Sequence, residues 1–576
     1  MRVRFDDLRP GHTRSFGFGE PVDVIAAVEL PDVVPALANV EAAAAAGRWC
    51  AGFISYEAAP AFDRSLRTRE PVAGLPLVWF GVFDEVLDTA DEAGPAGYRL
   101  GPWTETTGIT AYVAAVDQIR ERIRQGDTYQ VNYTTRMRSH LEGDPIGWYL
   151  DLVAAQSGGY GAFLDTGRFQ VVSASPELFF DWNDRKIVTK PMKGTARRGR
   201  WPAEDDTLRE ALEASPKDRA ENLMIVDLLR NDLGRVAATG SVQVDRLFEA
   251  ERFDTIWQLT STISATTRPE VGLVGVFAAL FPCGSVTGAP KASTMGIIAA
   301  TETEPRGLYT GAIGFVEPGA RRAVFSVAIR TAVHDGETGI VEYGVGGGVT
   351  YDSDPGGEYN EALAKAVVLE RAGRTVELLE TMRWEPGEGV ALLAGHLDRL
   401  AGSAAYFGIP VDFEKVRSEV AMCAAPVPSR LRLVVDRHGR FTLESEPAPQ
   451  GSGVVTLVVD REPVDRYDPF LFHKTTNRAP YDARLARHPE ADDVVLINES
   501  GEVTETAIAN LLVRLDEGWV TPPIDSGCLP GVARARLVAD GAVTERSVTI
   551  DELQRADEIE VVNALRGRRK ARLLSG

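Results

Sequence analysis

The sequence predicts an α+β protein of two domains, and three observations carry that reading. Its 576 residues exceed what one hydrophobic core usually holds. Alternating or continuous apolar runs, FQVVSAS, AVFSVAIRTAV and GIVEYGVGGGV, read as strands. Between them lie segments of helical period, and long strands mixed with helices in this way predict an α+β sandwich for the first part.

The elements follow in chain order. From Tyr112 to Arg124, Tyr112, Val116, Ile119 and Ile123 fall on one stripe, with Gly126 as the stop. Lys186–Thr189 reads as a short strand, and Ala220 to Arg235 as a helix. Gly284-Ser-Val-Thr-Gly288-Ala-Pro290-Lys291 precedes a predicted helix, with Pro290 suited to its first turn. EYNEALAKAVVLERA, Glu358 to Ala372, reads as a helix that closes the first part. After Gly373 a strand around Leu378–Trp384 opens a second part, so the expected domains are 1–373 and 377–576.

With 44% apolar and 25% charged residues the composition is globular. A formal charge of −21 argues against nucleic acid or an anionic membrane surface as partner. It leaves room for an anionic small substrate, because a few buried Arg and Lys can dominate one pocket. MRVRFDDLRPGH puts charges where a signal peptide needs an apolar core, and no run of about 18 apolar residues suggests a membrane span. Cys50, Cys283, Cys423 and Cys528 form no CxxC pair, so a reducing, cytoplasmic setting is expected.

Two groups of residues carry chemistry. In a helix, Glu358, Glu361 and Lys365 share one face, either as a solvated salt-bridge ladder or as a holder for a divalent ion and an anion. Asp218, Glu221, Asp227 and Asp232 place further acid beside an apolar stripe. Magnesium favours one or two carboxylates with waters and substrate oxygens, which suits Glu221 and Glu361 converging. In Lys190-Pro-Met-Lys193-Gly194-Thr195, Lys193 is either a solvated turn residue or a nucleophile, and the second role requires a neutral amine. The glycines of Gly344-Val-Gly346-Gly347-Gly348 let backbone amides approach a ligand. In the second part, Lys474 in FHKTTNR, the acidic ETET segment and Leu529-Pro530-Gly531-Val532-Ala533-Arg534 running into a helix recur as a lysine, an acid and a phosphate seat.

Read in order, SASPELFF, PMKGT, ENLMIVDLLRNDLGR, GSVTGAPK, LYTGAIGF, FSVAIRT, GGGVTYDSDP and EYNEALAKA resemble the chorismate-utilising enzymes over roughly residues 50–372. That family includes anthranilate, isochorismate and salicylate synthases and aminodeoxychorismate synthase component I. The resemblance implies an antiparallel β-sandwich with helices that binds chorismate. It implies Mg2+ on Glu221 and Glu361 with Glu358 assisting, and chorismate carboxylates gripped by Arg330, Lys365, Tyr309 and the amides of Gly346 and Gly348. Gly194 and Thr195 would line the ring, and Glu177 would be the general acid for loss of the 4-hydroxyl. Anthranilate synthases carry Ala where Lys193 stands, whereas the aminodeoxychorismate branch carries a lysine proposed to add at C2 before ammonia enters at C4. Gln258 stands where the family often has His and takes no acid–base role here. No cysteine sits in a glutaminase-like setting, so ammonia is expected from solution or from a separate glutamine amidotransferase.

Residues 377–576, with ETMRWEPGEGVALLAGHLDRLAGSAAYFG, FHKTTNR, VVLINESGEVTETAIANLLV and CLPGVARARLV, resemble class IV aminotransferase-fold enzymes. That family includes aminodeoxychorismate lyase, and the resemblance implies a smaller α+β domain of pyridoxal-phosphate fold type IV. Lys474 would be the Schiff-base lysine, Glu505 would face the pyridine nitrogen, and Arg399 with the amides of Val532 and Ala533 would hold the phosphate, with Asn563 nearby. The expected function is a fusion making 4-aminobenzoate and pyruvate from chorismate and ammonia, with a homodimer through the second domain. The alternatives are a second half that is a true transaminase or a non-catalytic dimerisation module.

Overall fold

The computed structural model describes residues 2–9, 14–88, 97–154, 158–253, 256–366, 369, 376–423, 425–449, 453–516 and 518–574. The chain divides into two units, Met1–Arg197 with Arg209–Gly373, and Arg198–Leu208 with Arg374–Gly576.

The first unit is a sandwich of two antiparallel sheets, 11- and 10-stranded among the described residues. Apolar residues of one sheet, Val3, Phe5, Phe16 and Phe18, bury against Phe53, Trp79 and Phe315 of the other. A second core forms where Val33, Leu37 and Val40 of one helix and Ile225, Val226 and Leu229 of another pack with Phe80, Phe180 and Phe325. Strand Gln130–Gly143 pairs along its length with Ile340–Val349, which sets the glycine run Gly344–Gly348 in the body of the sheet.

Several expected elements have different ends. AVFSVAIRTAV is not one strand but two, Arg322–Val327 and Thr331–Asp335, which enter different sheets. Arg330 turns the chain between them with a left-handed φ of 48°. A run buried on both faces has no period that could reveal such a crossing. The second acidic helix starts earlier than Ala220, spanning Pro216–Gly234, because Ser215 caps it by accepting from Asp218 N and Pro216 fills its first position. Pro290 is the N-cap of Lys291–Thr301 rather than a first-turn residue. The Glu358 helix spans Pro355–Ala364, capped by Asp354, and residues 367, 368 and 370–372 of the expected helix lie outside the described residues. The helix Ile109–Arg124 ends as expected before Gly126, whose φ is 82°.

In the second unit, helices Leu393–Phe407 and Phe413–Met422 cover a four-stranded sheet, burying Leu397, Leu400, Val416 and Val420 against Leu378, Met382, Leu431 and Leu433. A mixed sheet, nine-stranded among the described residues, forms the rest, with its own core around Leu457, Val495, Leu511 and Val561. Among the described residues no helix is long and apolar enough to cross a membrane.

Candidate active sites

The first site grows from strand Met192–Arg197, whose pairing with Ile256–Thr266 slips between Met192 and Thr195. Gly194, at φ 101° inside that slip, takes a conformation that a side chain would strain, and a Cβ there would also press on Asp218. Helix Pro216–Gly234 holds Lys193 twice: Glu221 Oε2 lies 3.2 Å from its Nζ, and Asn222 Nδ2 donates to its carbonyl at 3.1 Å. On the facing strand, a Cβ at Gly348 would stand 2.4 Å from Lys193 Nζ, so the glycine lets the amine rest where it does and a side chain there would displace it. Helix Pro355–Ala364 adds the remaining charges. Lys365 Nζ lies 3.0 Å from Glu361 and donates to Gly346 O at 2.8 Å, while Glu358 accepts from Ser353 Oγ at 2.6 Å. Lys365 holds the Glu361 carboxyl below the usual range, whereas burial pushes Glu358 up, aided by its neighbour Glu361.

Glu177 is buried beside this strand. It accepts from Ser285 Oγ at 2.6 Å and from the backbone N–H of Met192. Burial pushes its pKa up to about 8, so it holds a proton at neutral pH. Thr195 Oγ1 donates to Gln258 Oε1 at 3.1 Å, which gives the unexpected glutamine a positioning contact. Tyr309 packs its ring where a Gly344 Cβ would come within 2.2 Å, and Arg330 places its guanidinium 5.5 Å over Phe253. Among the described residues no three His, Cys, Asp or Glu side chains are close enough to hold a metal by themselves. Glu221 faces Lys193 and Glu361 faces Lys365, which fits an ion that takes one or two carboxylates and completes its shell from water and substrate.

Sequence reasoning missed Gln130. It is buried, a Gly348 Cβ would lie 2.4 Å from its Nε2, and neither polar atom of its carboxamide has a hydrogen-bond partner among the described residues. An amide desolvated without a partner is costly, which makes Gln130 a candidate to meet a group that enters the site. A glutamine inside the otherwise buried strand start QVNY was the available signal.

The second site is a cavity of about 300 Å³ whose lining includes Arg399, Lys474, Glu505, Val532 and Asn563. Lys474 is fixed through its backbone, its carbonyl accepting from Leu379 N at 2.9 Å. Burial, helped by the Arg399 charge, lowers its pKa to about 8. Glu505 is pushed up to about 8 by burial, and accepts from Tyr481 at 3.1 Å and Asn510 at 3.3 Å. Arg399 is clamped in two bonds by buried Glu380, at 2.8 and 2.7 Å, and His396 also bonds Glu380. Burial would raise that carboxyl, but Arg399 holds it at about 2. Glu380 was not foreseen, because in ETMR it reads as an ordinary strand glutamate.

Two further phosphate-side residues were expected. For Ala533 the expected contact is its backbone amide in the first turn of helix Val532–Ala539, while its side chain packs with Leu512 and Val562 outside the cavity lining. Asn563 lines the cavity, but its carboxamide is engaged, donating to Ile508 O at 3.2 Å and accepting from Arg566 N at 2.8 Å. The helix N-terminus at Gly531–Val532 beside Arg399 remains a seat for a phosphate. An amine lowered toward neutrality, an acid at the cavity wall and that seat fit pyridoxal phosphate.

Comparison with known proteins agrees with this two-site arrangement. Residues 92–371 match the family described as chorismate binding enzyme, and residues 377–574 match amino-transferase class IV. One stretch of the chain is thus similar to chorismate binding enzymes and the stretch after it to class IV aminotransferases. It is 44% identical over 262 residues to the aminodeoxychorismate synthase of Streptomyces griseus, covering 45% of this chain and 36% of that protein. With aminodeoxychorismate synthase component 1 of Bacillus subtilis it shares 35% over 299 residues, 52% of this chain and 62% of the relative. An anthranilate synthase component 1 of Haloarcula marismortui is 38% identical over 306 residues, 52% of this chain and 60% of the relative. The chain therefore spans less than two thirds of each of these relatives. Its fold is similar to the crystal structure of anthranilate synthase component I from Streptococcus pneumoniae, with a TM-score of 0.53 at 24% identity over 64% of this chain and 92% of that one.

Proposed function

We propose that the first unit aminates chorismate to 4-amino-4-deoxychorismate and that the second cleaves this product to 4-aminobenzoate and pyruvate. The observation that carries the reading is Lys193, set against Gly348 and Glu221 near a protonated, buried Glu177. The similar proteins include both aminodeoxychorismate and anthranilate synthases, so the lysine decides between para and ortho amination.

The Lys193 amine adds at C2 of the ring, the double bonds shift, and the C4–O bond breaks as Glu177 protonates the leaving hydroxyl. Ammonia then adds at C4, the shift reverses, and the lysine amine leaves. Lys365, Tyr309, Arg330 and the amides of Gly346 and Gly348 would hold the substrate carboxylates, with Gly194 and Thr195 along the ring. Magnesium, held by Glu221 and Glu361 with Glu358 beside them, would supply a point positive charge for a substrate carboxylate. Ammonia would come from glutamine through a separate amidotransferase subunit.

In the second unit, pyridoxal phosphate would supply an electron sink for the ring amine. Lys474 would hold it and, once released, move the ring proton as the bond to the enolpyruvyl oxygen breaks and the ring becomes aromatic. Glu505 would face the pyridine nitrogen, while Arg399, braced by Glu380, and the amides of Val532 and Ala533 would take the phosphate. A cytoplasmic folate-type pathway and a homodimer through the second unit complete the reading.

Product analysis tests it. The intact chain with chorismate, ammonium, Mg2+ and pyridoxal phosphate should give 4-aminobenzoate, and Lys474→Ala should accumulate 4-amino-4-deoxychorismate. Formation of ortho-aminobenzoate would refute the assignment, and transaminase half-reactions with amino acids would redirect the second unit.

A further inference from the structure

The second unit is not built from Arg374–Gly576 alone: Arg198–Leu208, which lies inside the stretch matching the chorismate binding family, belongs to it. This segment follows strand Met192–Arg197 and is anchored at three points. Arg198 and Asp205, both buried, form a clamp, with Nε to Oδ1 at 2.8 Å and a second nitrogen to Oδ2 at 2.7 Å, while Gly199 N also donates to Asp205 at 2.7 Å. The same guanidinium donates to Tyr406 O at 3.0 Å and lies 4.2 Å over the Tyr406 ring. Trp201 packs on Phe472 at 5.3 Å between ring centroids. Arg200, held by Glu204, reaches Asp525 at 2.5 Å.

These contacts converge on the two residues before Lys474. The Tyr406 ring lies 4.2 Å from the His473 ring at an interplanar angle of 30°, and His473 Nδ1 shares a 3.0 Å hydrogen bond with Ser403 Oγ. Phe472 is pinned by Trp201. Resting on the assignment of Lys474 as the cofactor lysine, we infer that Arg198, Trp201 and Asp205 are positioning residues of the lyase site, fixing the Phe472–His473 turn that aims Lys474.

The electrostatics agree. Burial, with the Arg198 charge as a second cause, lowers the His473 pKa to about 3, so the imidazole stays neutral next to the lysine. A buried bidentate Arg–Asp pair is geometrically specific, and a lysine that must reach one atom of a bound ring tolerates little drift. The cavity around the Lys474 amine is lined by none of Arg198, Trp201 and Asp205. Their effect therefore passes through the turn.

The test uses the full-length chain carrying Trp201→Ala, Trp201→Phe, Arg198→Met or Arg198→Lys. Lyase kcat and KM are measured with supplied 4-amino-4-deoxychorismate, and the visible absorption of bound pyridoxal phosphate is titrated with pH. Trp201→Ala and Arg198→Met should lower kcat on the order of 10- to 100-fold with little change in KM and shift the absorption titration, and Trp201→Phe should restore both. Wild-type kcat and titration in the first two variants would overturn the inference. So would a joint loss of lyase and chorismate amination with a lowered Tm, since that marks a merely structural role. Borohydride reduction of the wild type, followed by peptide mapping, separates the two layers. Cofactor found on a lysine other than 474 refutes the site assignment, whereas cofactor on Lys474 with unaltered variants refutes only the positioning.

Discussion

Glu177 offers the sharpest test of the amination chemistry. An exposed glutamate with the reference pKa of 4.5 would be only about 0.3% protonated at pH 7, whereas one pushed up to about 8 is about 90% protonated. Burial therefore raises the population of the acid by about 300-fold at that pH, before geometry is considered. The protonated form is the working one, so, with free ammonia held constant, Glu177 should contribute a limb that falls as pH rises through about 8, set against the rise from deprotonation of the Lys193 amine. Ser285 donates to the carboxyl and so favours its charged form, which means Ser285→Ala should move the falling limb to higher pH. Glu177→Gln, which keeps the shape without the proton, should cost about 10²- to 10⁴-fold in kcat and remove the limb. The assay is initial-rate amination of chorismate with ammonium across pH 6–10, read as 4-amino-4-deoxychorismate in a Lys474→Ala background. Glu177→Gln at near wild-type rate, or a limb unchanged in that variant, would refute the acid assignment.

Three further outcomes follow from named contacts. Gly348→Ala places a Cβ 2.4 Å from Lys193 Nζ and Gln130 Nε2, so amination should fall at least about tenfold while lyase turnover of supplied 4-amino-4-deoxychorismate is kept. Glu361→Gln leaves Lys365 without its 3.0 Å partner and removes one candidate metal oxygen, and a Mg2+ titration of activity should shift to about 10- to 100-fold higher concentration. Arg399→Ala leaves buried Glu380 with His396 alone, removing the main charge that offsets its burial; pyridoxal-phosphate retention on dialysis should drop and Tm should fall with a destabilisation of up to about 3–5 kcal/mol.

How much of this was legible in the sequence depends on how local each signal is. Helices with a clear stripe, such as Ile109–Arg124, and short alternating strands, such as Lys186–Lys190, were placed because their pattern is written in neighbouring residues. The Glu361–Lys365 pair, four residues apart on one helix face, was visible for the same reason. The crossing at Arg330 was not, since a run buried on both sides looks like one strand until the sheets that receive it are known. Glu380 and Gln130 are likewise silent as single letters. Glu380 gains meaning only when Arg399 and His396 come up from the following helix, and Gln130 only when Gly348 opposes it from a strand more than two hundred positions away. The segment Arg198–Leu208 carries the point furthest. Its Arg, Trp and Asp look like a polar connector after the lysine motif, and no period distinguishes a connector from a clamp. What makes it a clamp is the partner set, Tyr406, Phe472 and Asp525, all contributed from beyond residue 400. A domain boundary read along the chain cannot contain such a piece, because membership in a folded unit is decided by which surfaces are desolvated together and not by sequence order.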